Sequence, residues 1–162
     1  MNKDGKKINL EQETINNIKS LIIDIIGDDK LIDISNNLDV TNILYTLYGN
    51  HININVNDPT WFNRDRFIMS SYYDISILYV MLFMVGYLNI DDLKSNNKVN
   101  TKGIDILPLP QGQNIAIAVG MALASKKLNY EIKSKKKNFL EAEKSLINHK
   151  IYILCNQYHL ME

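Results

Sequence analysis

Residues 59–70 read Pro59-Thr60-Trp61-Phe62-Asn63-Arg64-Asp65-Arg66-Phe67-Ile68-Met69-Ser70, a polar turn that gives way to a short apolar run. An apolar run bounded by a turn on one side and a helical stretch on the other is the pattern of a strand buried in a parallel sheet. Ile151-Tyr152-Ile153-Leu154-Cys155 repeats that pattern and supplies a second buried strand. Helical segments precede the first strand and fill the interval between the two. The chain is therefore read as a mixed α/β protein in the order helix, helix, strand, helix, helix, helix, strand.

Upstream of the strand, His51–Asn57 alternates polar and apolar residues, but its polar positions are all Asn or His and Asp58-Pro59 closes it. It reads as an extended loop, with an edge strand as the alternative. Before it, Val40, Ile43, Leu44 and Leu47 keep helical spacing, with Asp39 or Thr41 as cap and Gly49-Asn50 as stop. Ile15, Ile18, Ile22 and Ile25 form a similar stripe from about Glu11 to Ile26, ended by Gly27, and residues 1–9 read as a flexible polar start.

Downstream, Ile75 to Leu88 is apolar between Asp74 and Asp91, shorter than the ~20 residues that span a bilayer, and reads as a buried helix. Residues 96–102 and 129–137 read as polar loops. Between them, Gln113–Leu128 alternates large apolar residues with Ala and Gly, which would suit a strand by period. Its length and its four alanines favour a buried helix that lets another backbone approach closely. Phe139, Ala142, Leu146 and Ile147 mark one more amphipathic helix. With no repeat and no composition break, residues 1–162 are read as a single module.

Composition narrows the function classes. The 162 residues hold 46% apolar side chains and 18 basic against 18 acidic groups, so the chain can build a core and gives no electrostatic reason to bind nucleic acid or an anionic membrane. A lone cysteine, Cys155, and a start without an apolar leader make the cytoplasm the expected compartment. Asn, Ile and Lys together account for 61 residues, a bias that lowers the weight given to any isolated Asn or Lys.

Residues 41–95 and 103–122 carry an ordered set of segments that resembles the N-terminal, thiamine diphosphate-binding half of transketolase. The set comprises Ile43-Leu-Tyr-Thr-Leu-Tyr48, His51-Ile-Asn-Ile-Asn55, Pro59 to Phe67, Leu78-Tyr79, Gly86-Tyr87 and Asp91-Asp-Leu-Lys94. It continues with Gly103-Ile-Asp105, Pro110-Gln-Gly-Gln113 and Ala118-Val-Gly-Met-Ala122. Trp61-Phe-Asn-Arg-Asp-Arg-Phe67 is the most specific, because it joins several uncommon residues without a gap. The resemblance implies a doubly wound parallel sheet, here helix-rich and incomplete, whose strand ends hold thiamine diphosphate through a divalent metal between two subunits or domains. Histidines that move protons on sugar phosphates belong to the same expectation.

Four positions depart from that family pattern. Ile32-Asp-Ile-Ser35 and Tyr72-Tyr73 stand where Gly-His turns are expected, and the stretch between Lys94 and Gly103 is shorter than the piece that carries another. Asn156-Gln-Tyr158 replaces the metal-binding Gly-Asp-Gly, so Gln157 offers a neutral oxygen in place of a carboxylate. The sequence also ends at Glu162, ahead of the asparagine that completes the family's metal site. Leu109-Pro-Gln-Gly-Gln-Asn114 keeps the Gly-Pro-Leu-Gly-Gln-Gly segment in part, leaving Pro110, Gln111, Gly112 and Gln113 as vestigial cofactor-binding candidates at a helix start.

The resulting expectation is a truncated, non-catalytic pseudoenzyme with no bound thiamine diphosphate or Mg²⁺ and no catalytic or metal-ligating residue of its own. It would act by pairing with a second copy or with a C-terminal transketolase-like chain. The alternatives are the small subunit of a split transketolase, catalytic only in complex, and a relic without function. The remaining polar features read blandly. His51, His149 and His159 show no ligand spacing, Cys155 is a small apolar filler, and Lys133 to Lys137 form a solvated connector. The Asp24, Asp28, Asp29 and Asp33 cluster does not follow a calcium-loop pattern. Arg64-Asp65-Arg66 is read as a turn that holds the strand.

Overall fold

A computed structural model describes residues 3–26, 34–69, 75–94, 101–107, 112–135 and 147–155. The elements are α1 (Lys3–Ile26), α2 (Ile34–Thr46) followed by one wide π-type turn (Leu47–His51), β1 (Arg66–Met69), α3 (Ile75–Met84), α4 (Ile90–Lys94), α5 (Gln113–Lys135) and β2 (Ile151–Leu154). They fall into two compact units, Met1–His51 with Tyr73–Lys102, and Ile52–Tyr72 with Gly103–Glu162.

The first unit is helical. The isoleucine stripe of α1 places Ile18 and Ile22 in the core, and α1 packs on α2 and α3. Ser76 through Leu82 of α3 are all buried, as its unbroken apolar run predicts. Gly86 ends that segment with a φ of 87°, a left-handed value that side chains with a Cβ resist. Its N–H bonds the Phe83 carbonyl at 3.0 Å and the Tyr87 N–H reaches back to Leu82 at 2.9 Å, which is the Schellman arrangement. α4 opens on a reciprocal capping box. The Asp92 N–H donates to Asn89 Oδ1 at 2.8 Å, and the Asn89 N–H donates to Asp92 Oδ2 at 3.1 Å.

The second unit contains the sheet. β1 and β2 are parallel, with Arg66 opposite Ile151 and Met69 opposite Leu154. Phe67, Ile68 and Met69 are buried, β2 is half-buried, and α5 packs against both strands. Of the stretch 51–57 read as an extended loop, His51 belongs to the π-type turn, residues 52–55 have no regular secondary structure, and Val56 and Asn57 lie in a turn. From there three successive turns, closed by Asp58 N–H to Asn55, Trp61 N–H to Asp58 and Arg64 N–H to Trp61, deliver the chain to β1.

Several boundaries differ from the sequence reading. α1 starts at Lys3 and α2 at Ile34, so neither Asp39 nor Thr41 is a cap. In both cases the helix extends through mostly polar residues, in which hydrophobic spacing carries no signal. α5 continues to Lys135 through residues expected to form a connector. Lys133 and Lys135 sit in its last turn, where cations favour the helix dipole. Nor is α5 a buried helix, since Asn114 and Ala118 are its buried residues while Val119 and Leu123 are exposed. Its alanines and Gly120 offer little apolar area to bury. The expected helix around Phe139–Leu146 lies outside the described residues.

Candidate functional site

The turn and strand at 63–66 build a staple within the second unit. Asp65 is 4% exposed, and its carboxylate accepts the Asn53 N–H at 2.9 Å and the Lys150 N–H at 2.5 Å. Asn63 Oδ1 accepts the Asn148 N–H at 2.7 Å. Asn129 of α5 exchanges two bonds with the backbone of Ile147, at 2.7 and 2.8 Å. Residues 147, 148 and 150 are thus each held by a side chain from elsewhere, and Arg66 N–H to Lys150 carbonyl then opens the ladder at 2.9 Å.

Arg64 supports this staple from beneath. Its Nε donates to the Pro59 carbonyl at 2.8 Å, its Nη1 to the Asp65 carbonyl at 3.2 Å, and its Nη2 to Asp105 Oδ1 at 2.5 Å. Arg66 stands 3.7 Å from the same carboxylate oxygen. The Arg-Asp-Arg motif therefore organises the approach to the strands, as a structural turn should.

His149 completes the staple. Its Nε2 lies 2.9 Å from Ser125 Oγ, and its ring meets Phe62 edge-on with centroids 6.3 Å apart. Ser125 is itself bonded to the Met121 carbonyl at 3.0 Å, the usual back-bond of a helical serine. Burial lowers the imidazole pKa from 6.5 and the Arg66 charge lowers it further, against opposing contributions from the Phe62 carbonyl, Asp65 and Asp105. The balance favours the neutral ring. This pairing was invisible in sequence, where residue 149 reads as a helix end.

Two of the four cofactor candidates, Gly112 and Gln113, are described, and they directly precede Asn114, whose side chain bonds the Met69 carbonyl at the other end of β1. Gly112 has a φ of 78°, with open space where a Cβ would project, and both Gly112 and Gln113 are exposed at the start of α5. Pro110 and Gln111 lie outside the described residues, as do Tyr72, Tyr73, Gln157 and His159. The first N–H groups of α5 have no partners within the helix and suit a phosphate. Among the described residues no three His, Cys, Asp or Glu side chains converge as a metal site. Residues 156–158, where the family resemblance places the metal-binding segment, lie outside the described residues.

Sequence reasoning passed over Asn114, discounted with the many other asparagines. It is buried, and its Nδ2 donates to the Met69 carbonyl at the end of β1. His51 is exposed and Cys155 is half-buried, so the expectation of a buried filler at 155 is met only in part. Among the described residues, no helix is long and apolar enough to cross a membrane.

Comparison with known proteins identifies the frame. A family model described as transketolase, thiamine diphosphate binding domain, matches residues 10–162. The transketolase of Aquifex aeolicus is 32% identical over 172 residues, covering 99% of this chain and 24% of that protein. That of Geobacillus stearothermophilus is 32% identical over 165 residues, covering 94% and 24%. Among solved structures, Campylobacter jejuni transketolase superposes with a TM-score of 0.71 at 30% identity over 95% of this chain and 24% of that one. Leishmania mexicana transketolase does so with 0.77 at 27% identity over 94% and 23%. The chain spans about a quarter of the length of these relatives.

These matches correct the expectation that no cofactor is used. The matched domain is a thiamine diphosphate-binding one, and its likeness extends through α5 and β2 rather than stopping at the altered positions. The expectation weighed single side chains too heavily. A diphosphate is held largely by backbone N–H groups, which substitution does not remove. Amide and carbonyl oxygens such as that of Gln157 also ligate hard cations. The helix-rich parallel α/β architecture and the sequence match agree: this chain belongs to the transketolase family and corresponds to its thiamine diphosphate-binding domain.

Proposed function

We propose that the chain is the diphosphate-side part of a thiamine diphosphate-dependent transketolase, completed by a transketolase-like C-terminal chain or domain. The observation that carries this reading is the match to the binding domain over residues 10–162, combined with coverage of only 24% of the relatives. When bound, the coenzyme supplies a thiazolium that stabilises a carbanion on a sugar. The part of this chain is to hold it. Pro110, Gln111, Gly112 and Gln113 form the phosphate end of the cradle, and the staple at 63–66 keeps β1 and β2 in register beneath it. Exposed Val119 and Leu123 on α5 support docking to a second chain.

Calorimetry with thiamine diphosphate and Mg²⁺, run with and without the C-terminal polypeptide, tests this reading. Saturable binding in the assembled pair is expected, and no heat in either case overturns it. A second reading, that the assembly binds the coenzyme without turning over, is favoured by Tyr72-Tyr73 in place of a histidine and by the engagement of His149 with Ser125. A ketol-transfer assay on the same loaded pair separates the two: product formation removes the second.

A further inference from the structure

Asn114 is 1% exposed in a helix that is otherwise largely exposed. Its Nδ2 donates to the carbonyl of Met69, the last residue of β1, and at 3.4 Å to the carbonyl of Leu107. One amide therefore joins the carboxyl end of β1, the segment before α5 and the first turn of α5. Exchanging the two ends of the amide would set oxygen against the Met69 oxygen, so its orientation follows from its partners.

The Oδ1 of the same group is buried and has no hydrogen-bond partner among the described residues. Buried polar atoms in that condition are uncommon and point to a missing donor. Beside it, Gly112 leaves the backbone open to close approach. Open α/β sheets bind their ligands beyond the carboxyl ends of the strands, which is where this amide sits. An acceptor lacking a donor, next to helix N–H groups lacking acceptors, complements a group that carries both.

We propose that Asn114 is a positioning residue that fixes the first turn of α5 against the end of β1 and so sets where the N–H groups of Gly112 and Gln113 meet a phosphate. Its Oδ1 is the acceptor that a protonated phosphate oxygen, or a water carried in with that ligand, would meet. This rests on the thiamine diphosphate reading for the identity of the phosphate.

The test is calorimetric titration of the full chain with inorganic pyrophosphate and Mg²⁺. Wild type binds saturably, and Asn114→Leu binds about tenfold more weakly, the scale on which supporting groups act, with amide exchange in β2 unchanged. Asn114→Asp, which also decides the matter should the leucine variant fail to fold, is weakened at neutral pH and recovers relative to wild type as pH falls. Its protonated carboxyl can then donate to Met69 again, and amide exchange in β2 that stays at the wild-type level at both pH values separates this recovery of binding from a repair of the fold. Equal affinity in all three proteins, a deficit in the aspartate variant that ignores pH, or no uptake by wild type overturns the proposal. Thiamine diphosphate uptake by the assembled pair is measured separately. Failure there, with pyrophosphate binding intact, overturns the functional reading and leaves the role of Asn114 in place.

Discussion

Asp65 is the residue on which the second unit depends most. It accepts backbone N–H groups from Asn53 and Lys150, on opposite sides of β1 in sequence, at a buried carboxylate. Asp65→Ala would leave both donors without a partner and is expected to cost roughly 3 kcal/mol, read from the midpoint of urea denaturation. His149 makes a pH prediction. Its folded-state pKa lies below 6.5, so between that value and 6.5 the unfolded chain binds more protons than the folded one. Stability is therefore full above 6.5 and declines as pH falls through the folded value. Melting temperatures across that range should show the decline, and His149→Gln should flatten it. The Arg-Asp-Arg turn was legible through the family resemblance, in which this segment is chiefly structural. The Ser125–His149 contact was not, since 24 residues separate the pair and neither lies in a motif.

Among the elements, the apolar signals were the legible ones. The stripe of Ile18 and Ile22 and the runs at β1, α3 and β2 all appear, although α3 stops at Met84 rather than Leu88 and β2 is half-buried rather than buried. Misplaced boundaries lie where polar residues extend a helix, as after Lys3, after Ile34 and toward Lys135, because a polar stretch has no hydrophobic periodicity to read. α4 escaped notice as a helix, yet its capping box fixes it. Asn89→Ala should destabilise the first unit by about 1 kcal/mol. Gly86→Ala, which forces a side chain into φ 87°, should cost roughly 1–2 kcal/mol. Both shifts would show in thermal unfolding, and neither should alter β1–β2 pairing, which lies in the other unit.

For the whole molecule, ligand linkage gives the prediction. If the assembled pair holds thiamine diphosphate and metal, thiamine diphosphate at a hundredfold over its dissociation constant in metal-saturated buffer should stabilise it by about 2.7 kcal/mol. Chelation of the metal should return the melting temperature to its starting value. The family was legible in ordered segments from Ile43 to Ala122, but the site was judged residue by residue, and that judgement failed on the cofactor. A binding surface made largely of backbone survives changes that would abolish one made of side chains.

The staple also constrains when the molecule can take shape. Asn63 and Asp65 reach partners 85 positions later in the chain. During synthesis a ribosome must release residue 150 before β1 gains its neighbour, so the earliest strand to emerge waits with an open edge. Contacts between such distant positions slow folding. The charged side chains at 64, 65 and 66 then have a second use, as gatekeepers that keep the nascent strand from joining the wrong chain.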